Sequence, residues 1–279
     1  MKVAARSDFY LGDTAVPAGT LKGRVSGVFS ADSERAPSTT RSHWQACLPI
    51  TPPDDIRVLI APIGGIYDYF ALLHEAGHAQ HFAWVSRELC RTHPEFIYAP
   101  DHATTEGYAF LLNNLLLDTA WLVEHRSGMS PQQARECARD FALFTCGDVR
   151  RRCALLSYEM ALHDHAQVRL EQLAAKYQSA VSEASGFRRE AAMYLVEVDD
   201  GFYTADYLRG WAFEASFRDY MRMRYGRRWW ASRRAGDELI DLWNTASRYS
   251  VEELARLIGF GEISFDLLAD ELIALMKED

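Results

Sequence analysis

The pattern of apolar and polar positions changes character once along this 279-residue chain. Up to about residue 55, Gly, Pro, Ser and Thr interrupt any helical spacing, so the stretch reads as loops with short strands. Ile56-Arg57-Val58-Leu59-Ile60-Ala61 then forms a brief β-type run between Pro53-Asp54-Asp55 and Pro62, and Gly64-Gly65 predicts a turn. From Ile66 to Arg91 the chain predicts one long helix. Thr92-His93-Pro94 ends it, because the residue before a proline avoids the α region. A loop through Pro100-Asp101-His102 leads to a second helix, which opens at Thr104-Thr105-Glu106-Gly107 and continues through Leu111-Leu112-Asn113-Asn114-Leu115-Leu116-Leu117 to about Arg126. Ser130-Pro131 starts a third, with serine as N-cap and proline at the first helical position. Helical periodicity then dominates to the end, with breaks expected near Gly147, Ser185-Gly186, Asp199-Asp200-Gly201, Gly226, Gly236 and Gly259-Phe260-Gly261. The expected architecture is an irregular segment over residues 1–55 and one mostly α domain over 56–279, with a small β element just before the first helix.

Composition narrows the function classes. Apolar residues make up 48% of the chain, ample for a core. A formal charge of −9 and a pI near 5.5 argue against nucleic acid as a partner, since a phosphate-binding surface needs broad positive charge. The five cysteines are odd in number and form no CxxC pair, which points to reduced thiols in a cytoplasmic protein. The first residues lack an apolar signal-peptide core, and no run of 18 apolar residues predicts a membrane span.

One stretch carries chemistry. Phe70 to His81 contains His74-Glu75-Ala76-Gly77-His78. On a helix, residues four apart share a face about one turn apart, so both imidazoles can reach one Zn²⁺ at about 2.0–2.1 Å. Glu75, about 100° round the helix, can take a proton from water without ligating the metal. His81 shares that face but lies about 10.5 Å from His74 along an unbroken helix, too far to join it on one ion. It belongs beside the site or in the core. A catalytic zinc usually takes three protein ligands. Glu106, opening the next helix, is the best-placed third ligand, and His102 is its competitor. Asp101, His93 and His102 could otherwise orient the ligating imidazoles.

Phe70 to His81 resembles the thimet oligopeptidase and oligoendopeptidase F group of zinc peptidases (family M3), whose motif reads HExGHxxH. Glu106 matches the place of that family's third ligand. Trp44-Gln45-Ala46-Cys47-Leu48-Pro49, Asp54-Asp55-Ile56-Arg57-Val58 and Gly64-Gly65 look similar too. So does Gly201-Phe202-Tyr203-Thr204-Ala205-Asp206-Tyr207, the family's tyrosine-bearing segment. The resemblance implies a zincin-like helical core of the gluzincin type, zinc in a deep channel, tyrosines that bind the substrate carbonyl, and hydrolysis of short peptides. The family places a histidine five residues before the first tyrosine, where Val198 stands here, and a later tyrosine where Gly210 stands. The chain is roughly half the family's usual length and corresponds to its C-terminal catalytic half.

Tyr203 and Tyr207, four apart, are neighbours on one helical face, and a phenol near the metal could donate to a developing oxyanion. Tyr67 and Tyr108 are further candidates. Arg209, or an arginine of the run from Arg218 to Arg234, could hold a substrate carboxylate; the run also reads as a solvated face. His163 and His165 flank Asp164 without ligand spacing.

The expectation is a zinc-dependent hydrolase acting on an amide in a short peptide. His74, His78 and Glu106 hold the metal, Glu75 is the base, and Tyr207 or Tyr203 steadies the oxyanion. The same core turned to one dedicated small-molecule biosynthetic reaction, or a non-catalytic partner subunit, are the alternatives. A second copy of the chain or a separate subunit is expected to cover the cleft.

Overall fold

The computed structural model describes residues 6–7, 25–29, 45–60, 65–98, 100–126, 128–164 and 169–277. Trp44, Gly64 and His165, singled out above, lie outside them. Strands β1 (Arg6–Ser7), β2 (Val25–Phe29), β3 (Ala46–Thr51) and β4 (Asp55–Ile60) form one sheet in the order β1-β2-β4-β3. β4 runs parallel to β2 and antiparallel to β3, with Cys47 opposite Val58. Alternation along β4 buries Ile56, Val58 and Ile60 on one face. That face packs against Ala79, Phe82 and Ala83 of helix α1 (Ile66–Trp84).

The rest is helical: α2 (Arg87–Thr92), α3 (Glu95–Tyr98), α4 (His102–Asn113), α5 (Thr119–His125), α6 (Pro131–His163), α7 (Leu170–Ser185), α8 (Tyr203–Tyr225), α9 (Arg233–Trp243), α10 (Val251–Leu257) and α11 (Asp266–Lys277). The protein is thus mostly α with a small sheet. No helix among the described residues is long and apolar enough to cross a membrane.

Four helix boundaries differ from the sequence expectation. The predicted helix from Ile66 to Arg91 stops at Trp84, because Val85 turns extended and Ser86 caps α2 by accepting from the Leu89 N–H. The predicted helix through Arg126 is cut after Asn113 into a 3₁₀ turn and α5, where Asp118 accepts the Ala120 and Trp121 N–H groups. α6 runs unbroken through Gly147, and α9 through Gly236; a lone glycine costs a helix only about 1 kcal/mol. The start of α6 is as expected, with Ser130 and Gln133 forming a reciprocal capping box behind Pro131.

α4 is the central element. It is buried all round from Ala103 to Asn113, with α1 on one side and α8 on the other. Two glycines permit that approach. A Cβ on Gly77 of α1 would sit 2.5 Å from the Ala109 Cα, and one on Gly210 of α8 would sit 3.0 Å from the Glu106 Cβ. The chain enters α8 through two left-handed residues, Gly201 (φ 63°) and Phe202 (φ 60°), and this turn places Tyr203 in the first turn of α8.

Candidate metal centre

α1 is an unusual core helix because His74, Glu75, Gln80 and His81 are buried in it. α4 answers with Thr104, Thr105, Glu106 and Asn113, also buried. Burying polar groups is costly unless they pair, and His74 and His78 of α1 find partners on α4 in Asn113, Thr105 and Glu106. His74 Nε2 lies 3.3 Å from His78 Nε2 and 3.3 Å from Glu106 Oε2, and His78 Nε2 lies 3.7 Å from the same oxygen. One donor atom from each of the three residues falls within 4.8 Å of the others.

The far side of each candidate ligand is held. His78 Nδ1 is 2.8 Å from Thr105 Oγ1, and His74 Nδ1 is 3.1 Å from the Asn113 side-chain amide. Tyr203 Oη donates to Glu106 Oε1 at 2.6 Å, leaving Glu106 Oε2 buried and without a hydrogen-bond partner. Two imidazole nitrogens and an orphaned carboxylate oxygen aimed at one point are a donor set for a cation, and their N₂O composition suits zinc.

The electrostatics agree. Burial pushes His78 down to about 4, against the pull of Glu106, so its ring is neutral near pH 7. Burial alone would raise Glu106, but His78 and His74 bring it down to about 2. Deprotonated ligands are what a metal needs. For His74, burial works downward, yet the adjoining Glu106 carboxylate holds the ring above its ordinary value. Glu75 is different. Burial lifts it to about 7, partly offset by His74 and by the backbone N–H of Cys47 on β3. A carboxylate poised near 7 suits a general base.

A cavity of about 450 Å³ opens onto His74 and Glu75. Tyr67, Phe70, Phe144, Phe110 and Trp211 give it an aromatic wall, and Arg151, Arg152 and Tyr207 a polar one. The Arg152 guanidinium sits 3.6 Å above the Tyr207 ring centroid.

The structure brings His74, Glu75, His78, Glu106, Tyr203 and Tyr207 to one place. Tyr203 is on Glu106, and Tyr207 lines the cavity. Other candidates lie elsewhere. His81 packs in the core against Phe82 and Tyr108, and Tyr108 is itself fully buried against Phe213, Phe217 and Trp243. His102 faces the Tyr203 ring with centroids 4.9 Å apart, His93 pairs with Glu95, and Asp101 caps α4 while binding Arg209. None of these three hydrogen-bonds His74 or His78; Asn113 and Thr105 do. Arg209 is engaged by Asp101, Asp206 and Glu252, so it is not free to hold a substrate. Within the arginine run, Arg218 is buried against Glu214. Asn113 carried a usable signal: it lies seven residues after Glu106, on the same helical face.

Neither a protein-family model nor a curated protein matches the chain. A solved structure described as "BsuCP Crystal Structure" has a similar fold, at a TM-score of 0.60 and 13% identity over 90% of this chain. The chain spans 55% of that protein's length.

Proposed function

We propose that this chain is a zinc-dependent hydrolase with a zincin-like core, cleaving an amide bond in a short peptide. The observation that carries the reading is the convergence of His74, His78 and Glu106 on one point, with Glu75 beside them at the floor of a cavity. Zinc, when bound there, supplies a Lewis acid that polarises the scissile carbonyl and makes water acidic. The chain's own residues supply the rest. Glu75 accepts a proton from the attacking water as the new C–O bond forms, then hands it to the amine as the C–N bond breaks. Tyr207, facing the cavity, is placed to donate its phenol hydrogen to the oxygen that gains charge. Tyr203 does different work: bonded to Glu106 Oε1, it keeps the other oxygen turned toward the histidines. The aromatic wall excludes water and takes apolar side chains of the substrate.

A cavity of about 450 Å³ admits a few residues at most. That size also favours the second reading, the same machinery dedicated to one small amide. The test is metal content followed by digestion. Purified protein should carry one zinc per chain, lost in His74→Ala and His78→Ala, and should cleave members of a fluorogenic peptide library. A full complement of zinc in either variant under chelator competition would refute the ligand set. Zinc without peptide cleavage, beside turnover of a single compound, would select the second reading.

A further inference from the structure

Tyr203 and Tyr207 ride on the first two turns of α8, and that helix begins without an anchor of its own. Its N-cap is Phe202, which offers no side-chain hydrogen bond to the first N–H groups. Phe202 and Gly201 before it are both left-handed, a conformation that a phenylalanine seldom adopts unless its surroundings enforce it.

The enforcing group comes from α6. Glu159 is 1% exposed, and its Oε1 accepts the Asp199 N–H at 3.2 Å. Thr204, fully buried in the first turn of α8, donates its hydroxyl to Asp199 Oδ2 at 2.9 Å, and its Oγ1 lies 3.4 Å from the same Glu159 oxygen. One carboxylate therefore meets the chain on both sides of the left-handed pair. Other side chains of α6 hold the approach: Tyr158 Oη donates to the Tyr194 carbonyl at 2.8 Å, and Val198 packs on the cluster of Leu155 and Tyr158. Glu159 holds the turn itself.

A carboxylate is a costly side chain for such a place. Glu159 Oε2 is buried without a hydrogen-bond partner, where an apolar side chain of similar size would carry no such penalty. What glutamate adds is an acceptor for the turn. Tyr203 follows that turn directly and donates to Glu106 Oε1, and Tyr207, one helical turn on, lines the cavity.

We infer that Glu159 is a positioning residue: by pinning the chain at Asp199 and Thr204 it fixes where α8 begins, and so sets Tyr203 on Glu106 and Tyr207 in the cavity wall. The consequence for zinc rests on the hydrolase reading above; the placement of the tyrosines does not.

That placement can be read without metal. Metal-free protein is labelled with ¹³Cζ-tyrosine, and single Tyr→Phe variants at 158, 203, 207 and 225 assign four signals. Glu159→Leu keeps the space filled and removes the acceptor. The Tyr203 and Tyr207 signals should then shift or broaden together, while Tyr225 at the far end of α8 stays in place. Glu159→Gln, which still offers an oxygen to the Asp199 N–H, should match the wild type. A shift confined to Tyr158 in folded Glu159→Leu, an equal shift at Tyr225, or the same change in Glu159→Gln would each overturn the inference. With metal, Glu159→Leu should weaken zinc binding about 10-fold in chelator competition, and cost nothing further in the Tyr203→Phe background, because both changes act through Glu106. Additive losses would overturn the route through Tyr203. A protein that binds no zinc would end the hydrolase reading and leave the tyrosine signals to decide this one. Should Glu159→Leu fail to fold, the wild type decides: its Asp199 amide should exchange with solvent about 10²-fold more slowly than an unstructured amide, and an unprotected amide would overturn the pin.

Discussion

Glu75 owes its poise to its position: one residue along from His74, on the adjoining face, buried and under the Cys47 N–H of β3. Glu75→Gln keeps the shape and removes the base. It should retain zinc and lower kcat by about 10²–10⁴-fold, measured on any cleaved peptide. Loss of zinc from that variant would make Glu75 a ligand. The same group shapes stability without metal. Folding raises its carboxyl from 4.5 to about 7, so its contribution is fully present below 4.5 and is lost as pH climbs through 7. Metal-free wild type should therefore lose melting temperature relative to metal-free Glu75→Gln across that window. Parallel melting curves from pH 4 to 8 would contradict the shift. The two tyrosines separate by readout. Tyr203→Phe should weaken zinc binding by about 10–100-fold, because it releases Glu106. Tyr207→Phe should leave zinc in place and lower kcat by about 10²-fold, with KM little changed. Equal behaviour of the two variants in both assays would dissolve the distinction.

Among the elements, α4 determines the geometry, since it carries Glu106, Thr105 and Asn113 between α1 and α8. The distance from His78 to Glu106 is set by how closely α1 lies on α4, and Gly77 is where they touch. A methyl there meets main-chain atoms of α4, at 2.5 Å from the Ala109 Cα and 2.8 Å from the Tyr108 oxygen, and backbone cannot step aside as a side chain can. Gly77→Ala should cost about 1–3 kcal/mol in denaturant unfolding and weaken zinc binding as well. Unchanged stability would mean that α1 slides on α4 freely, which the buried pairing between them contradicts. Arg209 acts at this scale too. It ties the cap of α4 to α8 and to the first turn of α10, so what looked like a free cation for substrates is a strut.

For the whole molecule, the open question is what covers the cavity. Phe144 lines it and is 42% exposed, and Leu143 beside it is 53% exposed. Soluble monomers seldom leave such a mouth bare, and a symmetric homodimer is the commonest remedy. Light scattering at micromolar concentration should give about twice 31.7 kDa, and Leu143→Glu should return it to the monomer mass. A monomeric wild type with full activity would show that the described chain closes its own site.

The sequence by itself determined what depends on spacing within one element. His74, Glu75 and His78 belong together because a helix repeats every 3.6 residues, and Ser130-Pro131 starts α6 because caps are local chemistry. Glu106 was legible as the acid that opens the following helix. Gly201 and the tyrosines after it were legible as a break and a helical face. What no local pattern carries is which groups meet across elements. Glycines at 147 and 236 read as breaks, yet the helices continue through them, because a lone glycine costs a helix only about 1 kcal/mol and the rest of each helix outweighs it. Asn113 and Asn114 read as polar interruptions in a leucine run, and only the approach of α8 brings Glu214 to Asn114, 100 residues away. Tyr203 and Tyr207 look equivalent in sequence; their separation into a support for Glu106 and a wall of the cavity arises from the packing of α8 against α4. Tertiary structure decides these matters because polar side chains inside a protein must find partners, and the partners available are those that packing brings within hydrogen-bonding distance.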